Sequence, residues 1–141
     1  FFNAQKSQCV KCHRLGEEGG QIGPDLTGIG LRFSKIHLVE SLLEPSRTIA
    51  PSYATWSVAL TSGQVISGVK TAETADALTL GDPEGKTHVI PRSEIELVRG
   101  QSKSTMPEGL EKQLTNREFL DLIAFLLSQK QRLVPNSIKP D

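Results

Sequence analysis

The five residues Cys9-Val10-Lys11-Cys12-His13 constrain this chain more than any other feature, because they hold both of its cysteines and follow them directly with a histidine. Cys-x-x-Cys-His is the spacing at which a chain takes a covalent c-type haem. On one helical turn, residues three apart share a face with Cβ atoms about 5 to 6 Å apart, which suits two thiols bonding to two vinyl groups on one porphyrin edge. One further residue turns the chain by about 100°, so His13 can bring an imidazole nitrogen beneath the ring. A bare Cys-x-x-Cys is also compatible with a thioredoxin-like redox pair, half of a zinc site, or a disulfide. The redox pair belongs beside a strand-helix-strand unit, whereas the residues after His13 are Gly-rich. Zinc takes four ligands, usually from two separated pairs, and no second Cys pair exists.

The chain is 141 residues long, the usual size of one domain. Its 16 basic and 16 acidic residues cancel, so no electrostatic footprint for nucleic acid or an anionic membrane is present. The longest apolar stretch, Phe119 to Leu127, is interrupted by Asp121 and falls short of the roughly 20 residues of a spanning helix. No membrane span is expected. The sequence opens Phe1-Phe2-Asn3, without an initiator methionine or a signal-peptide pattern, and reads as a processed protein or an excised domain. Aromatic residues are only 5%, thin for a packed core unless a buried porphyrin adds apolar bulk.

Along the chain, Phe2 to Arg14 reads as a short helix. Gly16 to Gly30 must be a loop passing close to something, and in a haem protein that is the ring. Ser34 caps a helix whose apolar stripe, Ile36, Val39, Leu42 and Leu43, ends at Glu44-Pro45. From Tyr53 the hydrophobic period becomes two. A strand carrying Trp56, Val58 and Leu60 is followed by short strands at Val65 to Thr71, Ala77 to Leu80, Thr87 to Ile90 and Ile95 to Arg99, a meander able to curl into a small barrel. Thr115 and Glu118 form a capping box ahead of Phe119, Leu122, Ile123, Leu126 and Leu127 at helical spacing. Residues after Leu133 read as a tail.

The face of a haem iron opposite its first ligand is either open or filled, which separates gas and peroxide chemistry from electron transfer. Met106, the single methionine, lies in the polar loop Ser104-Thr105-Met106-Pro107-Glu108-Gly109 and suits a ligand better than a core filler. His37, His88 and Lys103 are weaker rivals. The Pro24 carbonyl is a candidate to accept from His13, since a metal-bound histidine normally donates its other ring N–H to a carboxylate or carbonyl. Leu26 is a candidate to lie against the ring, and Arg32 to reach a haem propionate.

These residues resemble the class I cytochrome c pattern: Cys-x-x-Cys-His, then Gly23-Pro24-Asp25-Leu26, a Met-Pro loop, and Leu114-Thr115 leading to Asp121-Leu122-Ile123-Ala124-Phe125-Leu126. The resemblance covers residues 1 to about 50 and 100 to about 133. It implies thioethers at Cys9 and Cys12, His13 as proximal and Met106 as distal ligand, the Pro24 carbonyl as acceptor, and first and last helices crossing near Phe2 and Phe125. A narrower resemblance spans nearly the whole chain. Leu43-Glu44-Pro45-Ser46, Ile49-Ala50-Pro51-Ser52-Tyr53, Ser62 to Gly68 and Ser104 to Pro107 look like the haem-binding domain that ends long planctomycete and verrucomicrobial proteins carrying a dehydrogenase-like propeller.

The expected fold is therefore a mainly α cytochrome c fold with an inserted antiparallel β meander or barrel, α+β overall. Residues 1–52 and 100–134 would form the haem domain, 53–99 the insertion, and 135–141 the tail. The expected function is one-electron transfer by a non-enzymatic domain with one covalent haem c and its iron, reduced by a redox protein or a fused dehydrogenase and passing electrons to an acceptor the sequence does not specify. Covalent haem attachment implies a bacterial periplasmic or cell-surface location. Two alternatives stand beside it: a haem gas sensor or small peroxidase in which Met106 is displaced, and a protein-docking module built on the β-insert.

Overall fold

The computed structural model describes residues 6–131. Gln8 takes a left-handed conformation (φ 56°), so no helix runs into the motif, and Cys9–Lys11 is a single 3-10 turn. The chain then extends into β1 (Arg14–Leu15), which pairs antiparallel with β2 (Glu18–Gly19). A loop and a second 3-10 turn, Ile29–Leu31, lead to α1 (Lys35–Leu43), capped by the Ser34 hydroxyl, which accepts from the His37 amide at 3.3 Å.

Strands β3 (Thr55–Leu60), β4 (Val65–Glu73), β5 (Ala77–Gly81), β6 (Thr87–Pro91) and β7 (Ile95–Gln101) form one antiparallel sheet in the order β6-β5-β4-β3-β7. Tight turns join the first four strands, and a 3-10 turn at Arg92–Glu94 carries the chain back to pair β7 with β3. The sheet curls about a face on which Val58, Leu60, Leu78, Leu80 and Ile90 are buried, with Trp56, Ile66 and Ile95 packed against them. Lys70 extends its ammonium over the Trp56 ring, 4.7 Å from the centroid, at the rim of that core.

After a loop and a 3-10 turn at Leu110–Gln113, α2 (Asn116–Ser128) closes the described chain. Thr115 caps it by accepting from the Glu118 amide at 3.1 Å, and the Glu118 carboxylate reaches back to Thr115 as the capping box requires while also pairing with Lys6 at 2.7 Å. Leu122, Ile123 and Leu126 are buried with Ile29 and Leu38 in a second core. Gly30 fits beneath the carbonyl of Leu127, where a Cβ would collide.

The mainly α cytochrome c fold expected from the sequence is not what forms. Among the described residues, two α-helices of 9 and 13 residues stand beside a five-stranded and a two-stranded antiparallel sheet. Two local causes are visible. The left-handed Gln8 and the pairing of Arg14 with Gly19 replace the first helix, and the meander extends to Gln101. The α1 stripe is also narrower than expected: Leu38 is buried and Val39 and Leu42 pack on the core, but Ile36 and Leu43 face solvent. The expected helix crossing at Phe2 and the tail at 135–141 lie outside the described residues. No helix among the described residues is long and apolar enough to cross a membrane.

Candidate haem site

Cys9 to His13 occupy one turn closed by the Cys9 carbonyl, which accepts from the amides of Cys12 at 3.2 Å and His13 at 2.9 Å. The first contact is of 3-10 type and the second of α type, so the motif keeps one helical turn even though no helix surrounds it. Both cysteines are half-buried and free of a disulfide. Cys9 Sγ lies 3.6 Å from the Ser7 carbonyl. Burial, then the negative charge of Asp82, push the Cys12 thiol above its ordinary range, against the opposing pull of Lys11.

The ring of His13 is fixed from two sides. Its Nδ1 is 2.8 Å from the Pro24 carbonyl oxygen. A carbonyl oxygen only accepts, so Nδ1 carries the proton and the Nε2 lone pair is left for a metal. Burial lowers the pKa of His13, partly offset by the Pro24 contact, which favours the neutral imidazole a metal requires. Gly23 presses against the ring: a Cβ there would stand 2.7 Å from Cε1 and 3.1 Å from Nε2. Leu26 is anchored at both backbone and side chain. Its amide donates to the Arg14 carbonyl at 2.8 Å and its side chain packs on the α1–α2 core. Arg32 spends its guanidinium on the same loop, donating to the carbonyls of Asp25 at 2.7 Å and Thr27 at 3.1 Å.

The loop bearing Met106 is held residue by residue. The Ser104 amide donates to the Ser46 hydroxyl at 2.9 Å, and the Met106 amide to the Ser104 hydroxyl at 3.1 Å. Between them Thr105 is buried, its Oγ1 2.7 Å from Oγ1 of Thr55 at the start of β3. Met106 itself is half-buried. The rival histidines are engaged otherwise. His37 is half-buried and stacks on Phe33 with ring centroids 4.2 Å apart, and His88 Nε2 is 2.7 Å from Asp82 Oδ2.

The sheet supports the motif as well. Ile22, 6% exposed, lies over Gly81 of β5, and Gly85 in the β5–β6 turn meets Lys11. A cleft of about 320 Å³ remains between Lys11, Gly20, Gln21 and Ile22 on one side and Thr71, Gly85 and Thr87 on the other. Sequence patterning gives no role to Thr55, which alternates with Trp56, Val58 and Leu60 on its strand, or to the hydroxyls of Ser46 and Ser104. The only signal available was the clustering of hydroxyl residues directly before Met106. Comparison with protein-family models and with curated proteins finds no match to this chain.

The donor set fits a c-type haem: two free thiols and a neutral, oriented imidazole on one turn. Cys9 and Cys12 would hold the porphyrin, His13 the iron, with Met106 as the candidate on the other side.

Proposed function

We propose that this chain is a c-type haem domain that carries single electrons and catalyses no reaction of its own. The observation that carries the reading is the His13 Nδ1 to Pro24 contact of 2.8 Å on the same turn as two free thiols. A redox dithiol or a disulfide has no use for a histidine held in this way, whereas a metal ligand does; a four-ligand zinc site would need a second Cys pair, which the sequence does not have.

Each thiol can add across one vinyl group, sulfur to one carbon and hydrogen to the other, so attachment consumes no oxidant. Pro24 and Gly23 keep the His13 ring in one orientation through both redox states. Met106 supplies a thioether, which favours the ferrous state and raises the potential relative to a second imidazole. A haem held by these residues contributes a one-electron iron couple. Loops tied by hydrogen bonds at Pro24, Ser104 and Thr105 would limit reorganisation around it.

Supply of electrons by a fused or partner dehydrogenase, and a periplasmic or cell-surface location, belong to the same proposal. They rest on the resemblance of Leu43 to Ser46, Ile49 to Tyr53 and Ser104 to Pro107 to the haem-binding domain of planctomycete and verrucomicrobial proteins. Carbon monoxide titration of the reduced protein tests the carrier reading. Slow, incomplete uptake is expected when a protein ligand fills the second position. Fast stoichiometric uptake would favour a sensor or peroxidase with an open site.

A further inference from the structure

The sheet carries a transverse row of directly opposed residues, Gln101–Thr55–Val69–Gly81–Thr87, one from each strand. Directly opposed residues of an antiparallel sheet project to the same face. Two segments rest on that face along this one row. The Met106 loop is joined to it at Thr55 through Thr105, and the His13 segment is seated on it at Gly81 through Ile22. Val69, between them, is 5% exposed and belongs to neither apolar core. With strands spaced 4.7 to 4.9 Å, Thr55 and Gly81 are about 10 Å apart. One hydrogen-bonded row thus fixes the separation of the two segments that bear the candidate axial ligands.

We propose that Thr55 and Thr105 are positioning residues for Met106, and that the sheet is the gauge that holds the distal ligand opposite His13. This rests on the Met/His reading of the site. Thr105 adjoins Met106, and its hydroxyl meets that of Thr55 in a buried setting, 7% and 8% exposed. Removing one hydroxyl leaves its buried partner unsatisfied and frees the loop from the strand. Ser57 on the same strand offers a matched control. Its hydroxyl lies 2.6 Å from that of Ser67 on β4, and it contacts no part of the loop through that bond.

The experiment compares wild-type holoprotein with Thr55→Val, Thr105→Val, Thr55→Ser and Ser57→Ala. It reads covalent haem content, the weak near-infrared ferric charge-transfer band of sulfur ligation, and the rate of carbon monoxide uptake after reduction. Thr55→Val and Thr105→Val should keep their covalent haem, lose most of the band, and take up carbon monoxide about tenfold faster, the factor one lost hydrogen bond supplies. Thr55→Ser restores the hydroxyl and should restore the band, and Ser57→Ala should match wild type. If Thr55→Val fails to fold, Thr105→Val carries the same expectation from the loop side without touching a strand. A wild-type band retained in either folded valine variant overturns the inference alone. Absence of the band from wild type overturns both the inference and the Met/His reading.

Discussion

Ile22 lies so close over Gly81 that a Cβ on residue 81 would fall 2.5 Å from its Cγ1 and 2.7 Å from its Cγ2. The contact joins the loop that follows the Cys9 to His13 turn to the large sheet. Gly81→Ala should therefore destabilise the protein by about 1 to 3 kcal/mol, as overpacking does. Ile22→Ala removes the obstacle at the cost of its own burial. In a double-mutant cycle followed by urea unfolding, the two changes should couple by about 0.5 to 3 kcal/mol, the double variant being more stable than the sum of the singles. Strict additivity would mean that the motif loop and the sheet do not bear on each other.

Gly23 faces the His13 ring with room for hydrogen only, so Gly23→Ala must push the imidazole aside or strain the loop. Unfolding of the haem-free protein should show a loss of about 1 to 3 kcal/mol. In the haem-loaded protein the reduction potential should shift as well, because the ring changes its tilt. An unchanged stability and potential would show that the ring does not rest on Gly23.

Asp82 gives the β5–β6 turn a pH dependence. Burial raises its pKa, but hydrogen bonds from the His88 ring and from the amides of Lys86 and Glu84 outweigh that, and the carboxyl ionises below its ordinary 3.8. As pH falls the unfolded chain takes the proton first. The stabilisation is therefore complete above about pH 4 and disappears as the pH drops through the lower folded-state value. Asp82→Asn keeps an acceptor for the two amides and removes the charge. It should cost stability near neutral pH and flatten the acid slope, which urea midpoints from about pH 6 to pH 2.5 will measure.

The two apolar cores can be weighed against the surface. Leu80 is fully buried in the sheet core, and Leu80→Ala should cost about 2 to 5 kcal/mol. Leu120 on α2 is 57% exposed, and Leu120→Ala should stay within about 0.5 kcal/mol of wild type. Denaturant unfolding of both variants decides it.

All five strands of the large sheet were legible, because the period-two runs at Thr55–Leu60 and beyond are bounded by Ser62-Gly63 and Asp82-Pro83-Glu84-Gly85. The caps at Ser34 and Thr115 were legible for the same local reason: each hydroxyl residue stands directly before an apolar helical run and accepts an amide three residues on. What the sequence hid was tertiary. Gln8 has no turn chemistry that announces a left-handed backbone. The glycines of the loop after His13 announce a close approach but not its partner: Gly19 and Gly20 make room for the carbonyls of His13 and Lys11. Alternation marks one face of β3 as apolar and says nothing of Thr55 on the other, yet Thr55 is only 8% exposed. Of the site, the Cys9 to His13 turn and the Pro24 acceptor were readable from spacing. The strand that grips the Met106 loop was not, since Thr55 and Thr105 are 50 residues apart in sequence.

The proposed function requires that Cys9 and Cys12 bond a haem covalently and that His13 bind its iron. It is tested most directly by producing the protein in a host with c-type haem maturation, extracting it with acidified organic solvent, and recording the pyridine haemochrome of the protein fraction. The expected result is haem that stays with the polypeptide and gives the c-type haemochrome, and that is lost from a Cys9→Ala/Cys12→Ala variant. Haem that passes entirely into the solvent, or a protein that carries none, would contradict the account.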